Sequence, residues 1–89
     1  MRIKNGFVLR NLKNEYIVVG EGLAQVNFNK LMVLNSSAAY LWENVVGKDF
    51  TEEDLTRLLL ERYDVSEERA KADAAQVVKM LLESEVLVP

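Results

Sequence analysis

Leu31-Met32-Val33-Leu34-Asn35-Ser36-Ser37-Ala38-Ala39-Tyr40-Leu41-Trp42 changes its period halfway. Up to Leu34 the run is continuously apolar and short, which suits a strand. Asn35, Ser36 and Ser37 then supply side-chain oxygens of the kind that cap a helix. From there Ala38, Leu41, Trp42 and Val45 fall at helical spacing on one face, and Gly47 stops the helix. A strand therefore hands over directly to a helix. The chain on the N-terminal side of this stretch reads as β, and the chain on its C-terminal side reads as α.

Upstream, Phe7-Val8-Leu9-Arg10 is short and apolar, and Asn11 to Asn14 is a polar turn. Tyr16-Ile17-Val18-Val19 is aromatic and β-branched, and Gly20-Glu21-Gly22 ends it. Gln25-Val26-Asn27-Phe28-Asn29 alternates polar and apolar residues, the period of a half-buried strand. Asn29-Lys30 either turns the chain before Leu31 or lies within one bulged strand. Downstream, Thr51 stands three residues before Asp54 in the spacing of a capping box, with Glu52 and Glu53 at the positive helix end. Leu55, Leu58, Leu59 and Tyr63 form the apolar face of this second helix. Ser66 caps a third, with Glu67 and Glu68 in its first turn and a stripe of Ala70, Ala74, Val77, Val78 and Leu81. Val86-Leu87-Val88 suits a short final strand. The expected fold is α+β and winged-helix-like. An N-terminal three-stranded antiparallel β-sheet, at about residues 7–34, precedes a three-helix bundle at about 36–46, 52–63 and 67–84. Its 89 residues suit one domain, 1–89.

Composition removes whole classes of chemistry. There is no cysteine and no histidine, so thiolate nucleophiles, zinc-thiolate sites and the commonest general base are missing. The acids at 52, 53, 54, 67 and 68 are accounted for as first-turn helix residues. Gly20-Glu21-Gly22 leads into Leu23-Ala24, not into a convincing helix start, so a phosphate cradle is not expected there. We therefore expect no enzyme, no cofactor and no metal. No apolar run approaches the length of a membrane span, and Met1-Arg2-Ile3-Lys4-Asn5-Gly6 has no apolar signal core, so the expected location is cytoplasmic. Residues 1–50 hold six basic and four acidic side chains (+2), and residues 51–89 hold five and ten (−5). An acidic helical half is a poor footprint for nucleic acid. Winged-helix DNA binding, or a structural place in a larger complex, stands as the alternative reading.

The apolar run at 31–34 raises a binding question. It is apolar on both faces of its strand, whereas a small sheet usually keeps one side wet. Either another part of the chain covers the second face, or this is an edge strand to which an extended peptide can add. In the second case Lys30 guards the edge against unwanted pairing. An exposed edge also permits a homodimer. Trp42 belongs with the core stripe. Ala74, Val78, Met80 and Leu82 offer more apolar surface than one stripe requires, which would suit a groove.

Leu34-Asn35-Ser36-Ser37-Ala38-Ala39-Tyr40-Leu41-Trp42 resembles the helix-start signature of the coenzyme PQQ synthesis protein D family. The strand pair before it, Gly47, the capped helix from Thr51 and the long last helix follow that family's order over about residues 7 to 88. The resemblance implies a peptide chaperone, or RiPP recognition element, that takes the leader of a ribosomally made precursor peptide as an added strand. It implies presentation of that precursor to a modifying enzyme such as a radical SAM enzyme. Carried over, the strand side is Lys30, Leu31, Met32, Val33 and Leu34. The helical wall is Ala70, Lys71, Ala74, Val77, Val78, Leu81 and Leu82. The connection Gly20 to Lys30 is longer than in the PQQ-pathway members, so the resemblance does not fix the pathway.

Overall fold

A computed structural model describes residues 1–20 and 32–88. The alternating piece Gln25–Asn29 and the residues Lys30 and Leu31 lie outside them. The elements are β1 (Arg2–Ile3), β2 (Phe7–Leu12), β3 (Glu15–Gly20), β4 (Met32–Leu34), α1 (Ser36–Val45), α2 (Glu52–Arg62), α3 (Glu67–Glu83) and β5 (Leu87–Val88). An antiparallel sheet in the order β2-β3-β4 precedes the three helices, and β1 and β5 form a second, two-stranded sheet. The architecture is α+β, as the order of patterns implies.

The first hairpin is tighter than the polar run suggests. β2 continues through Asn11 and Leu12, and Leu12 pairs with Glu15 across a loop of only Lys13 and Asn14. Lys13 takes φ 57°, the left-handed conformation that such short loops demand and that glycine usually supplies. The absence of a glycine is why the turn reads longer in sequence than it is.

Each helix start follows from its cap. Asn35 accepts a hydrogen bond from the Ala38 amide at 2.8 Å and starts α1 one residue after β4 ends. At α2 the box is reciprocal: the Asp54 amide donates to Thr51 Oγ1 at 3.1 Å, and the Thr51 amide donates to Asp54 Oδ2 at 2.9 Å. Ser66 Oγ accepts from the Arg69 amide at 3.1 Å to start α3.

The core gathers Val18, Met32 and Leu34 from the sheet, Ala38, Ala39, Leu41, Trp42 and Val45 from α1, Leu55 and Leu59 from α2, and Ala70, Ala74, Val78 and Leu81 from α3. Phe50, in the loop before α2, is buried with them. The sheet thus forms one layer and the helices the other, and both strand and helix stripes point into a shared apolar space. α3 ends where Glu85 takes φ 59°, and the Val86 amide turns back to the Leu81 carbonyl at 3.2 Å. That reversal delivers β5 to β1, with Arg2 opposite Val88 and Ile3 opposite Leu87. On its other side the first residue is joined to the loop before α2: Phe50 N–H donates to the Met1 carbonyl at 2.8 Å, and the Met1 amino group donates to the Phe50 carbonyl at 2.8 Å.

The capping box carries a stability test. Thr51→Ala should lower unfolding free energy by about 1 kcal/mol, measured by urea denaturation. The hydrogen bond from the Thr51 amide holds the Asp54 carboxyl below its ordinary value of 3.8; desolvation opposes it, and the Thr51 hydroxyl and Arg57 add smaller lowering effects. A carboxyl lowered by folding stabilises above its unfolded pKa and loses that contribution as pH falls through its folded value. The gap in melting temperature between wild type and Asp54→Asn should therefore be widest near neutrality and close on acidification below 3.8.

Candidate functional site

Hydrogen-bond direction alternates along a strand, so the hairpin determines what the far edge of the sheet presents. The residues flanking a two-residue hairpin loop form a hydrogen-bonded pair. Glu15, Ile17 and Val19 therefore turn their main-chain groups toward β2, and Tyr16 and Val18 turn theirs toward β4. Their partners are Leu34 and Met32. Val33, between them, directs its N–H and C=O away from β3. No strand lies on that side of β4 among the described residues.

The side chains follow the same alternation. Met32 and Leu34 point into the core, at 8% and 3% exposure, whereas Val33 stands on the opposite face at 60%. Cross-strand pairing puts Val33 in one row with Ile17 and Arg10, beside the pair Val8 and Val19. Of the described part of the run that looked apolar on both faces, Met32 and Leu34 form the buried face and Val33 the apolar outer one.

Beside the open edge of β4 runs a groove of about 350 Å³. Its lining is Val33 from β4, Asn35, Ser37 and Ala38 from the start of α1, and Arg69, Asp73, Gln76, Val77 and Met80 from α3. The α3 residues are spaced by three or four, a continuous stripe on one flank of the helix. The groove has two halves. Near the start of α3 it is polar, and Arg69 Nε meets Asp73 Oδ2 at 3.1 Å there. Farther along, Ala38, Val77 and Met80 make it apolar. One arginine and one aspartate leave the lining without net charge.

The expected site residues divide into groups. Val33 and Val77 line the groove. Ala70, Ala74, Val78 and Leu81 are buried in the core, so their stripe seats the helix and the groove belongs to the neighbouring flank. Met32 and Leu34 also face the core, and they shape the groove only by holding β4 in place. Lys71 lies on the α2 side of α3, where its Nζ meets Glu67 Oε1 at 3.2 Å and it shares a shallow depression with Glu52, Arg57 and Leu60. Leu82 is 58% exposed and is not part of the groove lining. Arg69, Asp73 and Gln76 were missed because polar residues on a helix flank look like a solvated surface. The signal that could have found them is their shared spacing with Met80.

The cations of the helical layer are largely spoken for. Arg57 Nη2 lies 3.2 Å from Asp54 Oδ1, Arg62 sits over the Tyr63 ring with its Cζ 5.2 Å from the centroid, and Arg69 and Lys71 have the carboxylate partners above. No basic face of the sort nucleic acid requires is assembled from these four. Among the described residues no group of three or more His, Cys, Asp or Glu could hold a metal ion, and no helix is long and apolar enough to cross a membrane.

Three comparisons bear on this arrangement. The family model for coenzyme PQQ synthesis protein D matches residues 8–87. No curated protein matches the chain. Among solved structures, TbiB1 in complex with the TbiA(beta) leader peptide is similar, with a TM-score of 0.71 at 15% sequence identity, covering 98% of this chain and 94% of that one. At that identity the likeness is one of fold.

The direction of the Val33 main chain is open to a direct test. Proline removes an N–H, and a strand tolerates it where that N–H points off the edge. Val33→Pro should keep most of the cooperative thermal unfolding, whereas Leu34→Pro should lose it by breaking a bond to Tyr16. Equal damage from both would mean that Val33 bonds to β3 after all.

Proposed function

The chain belongs to the coenzyme PQQ synthesis protein D family, and from that membership we propose that it is a non-catalytic peptide-binding protein of a peptide-modification pathway. It takes the leader of a ribosomally made precursor as an extra strand on β4 and holds it along α3. The observation that carries this reading is the outward-facing main chain of Val33 opposite a groove walled by α3. Strand addition needs just these two parts. Main-chain bonds to an open edge hold the peptide, and side-chain pockets beside that edge select it. Lys30 and Leu31, which precede β4, would continue the strand side of the site. That TbiB1, a protein of similar fold, is bound to a leader peptide lends the reading support.

The short edge bears on strength. Each main-chain hydrogen bond adds only about 0.5–1.5 kcal/mol net, and Val33 alone supplies two. Selection must therefore come from the groove, where one apolar client side chain can fill the Ala38–Val77–Met80 half while polar groups meet Arg69, Asp73 and Gln76. The chain makes or breaks no bond. It raises the effective concentration of the precursor at a modifying enzyme, by the arithmetic of tethering. In this reading the enzyme is of the radical SAM class and the setting is the cytoplasm. The alternative of DNA binding gains little from α2 and α3, where Arg57, Arg69 and Lys71 are paired with carboxylates and only Arg62 and Lys79 remain.

The test is a titration of the protein with the leader segment of the short peptide encoded beside its gene, followed by amide NMR. Val33 and the flank from Arg69 to Met80 should shift, while Ala70 and Ala74 should move less. Val77→Asp should weaken binding at least tenfold, because it puts a charge into the apolar half. Unmoved amides at both Val33 and Val77 for every neighbouring peptide would overturn the proposal.

A further inference from the structure

Asn35 does more than start α1. Its Oδ1 accepts from the Ala38 amide at 2.8 Å and from the Ser37 hydroxyl at 3.0 Å. Two donors converge on one atom, so that atom must be the oxygen, and the orientation of the amide follows from the network. Its main-chain carbonyl is also taken, by the Ala39 amide at 2.9 Å. Two groups of Asn35 are left over: the side-chain Nδ2, with two hydrogens, and the main-chain N–H. Neither has a partner among the described residues. The residue is exposed and lines the groove.

The strand phase gives these donors a direction. Asn35 stands two residues after Val33, so its main-chain N–H points to the same side as that of Val33, off the open edge. An ordinary edge strand would offer the next partner an acceptor here as well. Asn35 cannot, because its carbonyl belongs to α1. The edge therefore runs out of acceptors at the position where Nδ2 adds donors.

We infer that Asn35 is a positioning residue for the client peptide: its Nδ2, beside its main-chain N–H, donates to a client main-chain carbonyl and so extends the edge past β4. This rests on the strand-addition reading. It also gives a physical reason for asparagine at this place. A helix cap needs only an acceptor, and Asp, Ser and Asn cap about equally well. Asparagine alone of the three joins a cap acceptor to an amide donor.

The test separates the two roles within one residue. Asn35→Ser and Asn35→Asp keep the cap oxygen and lose the amide, so both should melt close to wild type. The probe is a synthetic peptide with the leader sequence of the precursor encoded beside the gene, titrated into ¹⁵N-labelled full-length protein. On saturation, the Asn35 side-chain amide pair should move downfield, identified by its absence from the spectrum of Asn35→Ser. Peptide affinity should fall about fivefold to tenfold in Asn35→Ser, the worth of one such bond. Asn35→Asp should lose more, since a carboxylate would face a carbonyl oxygen. If the Val33 amide shifts while the Asn35 side-chain pair stays still, or if Asn35→Ser binds as wild type does, the role of Asn35 is overturned and strand addition stands. If neither Val33 nor Asn35 responds, strand addition falls, and the role of Asn35 with it.

Discussion

The hydrogen-bonded pair Leu12–Glu15, closed by a turn of two residues, determines the phase of the three-stranded sheet. Each strand passes that phase to the next, because main-chain groups alternate sides with a period of two. From Glu15 it reaches Tyr16 and Val18, from these Leu34 and Met32, and so leaves Val33 facing outward. A one-residue slip of β3 against β2 would reverse the assignment. It would also exchange the buried and outer faces, sending Val18 to solvent and Ile17 into the core. A conformation that costs something locally, Lys13 at φ 57°, is thus tied to a main-chain group two strands away.

Much of this molecule is legible in its sequence because its signals are local. The passage from Leu34 to Asn35, the box at Thr51 and Asp54, and the cap at Ser66 each declare themselves through a side chain that bonds within three residues. The stripe of Ala70, Ala74, Val78 and Leu81 is equally plain, but its meaning is not. Periodicity says that one side of α3 is buried, and not whether protein or client buries it. Here the answer is protein, and the groove lies on the adjoining flank, where Arg69, Asp73 and Gln76 resemble ordinary surface. Val77 and Met80, at the border, both pack against the core and line the groove.

Other features were hidden for different reasons. β1 has two residues, too few for any period to appear. Phe50 is a lone aromatic in a loop, and nothing nearby marks it as core. The extent of β2 was obscured because Asn11 and Leu12 sit in a polar context, and register with β3, which is non-local, decides that they pair. In each case the missing information is a contact between residues far apart in the chain, for which local propensity has no voice.

The pairing of β1 with β5 has a consequence for how this unit can be built into other proteins. Residues 2 and 88 are direct neighbours across an antiparallel ladder, which sets their Cα atoms about 5 Å apart. A chain could therefore leave a host loop, trace this entire fold and return to nearly the same point. Entry and exit would both lie at the two-stranded sheet, in a different sheet from β4 with its open edge. The unit is suited to insertion as a cassette, and the same closeness makes circular permutation practicable, provided the Lys13-Asn14 turn that sets the sheet is left intact.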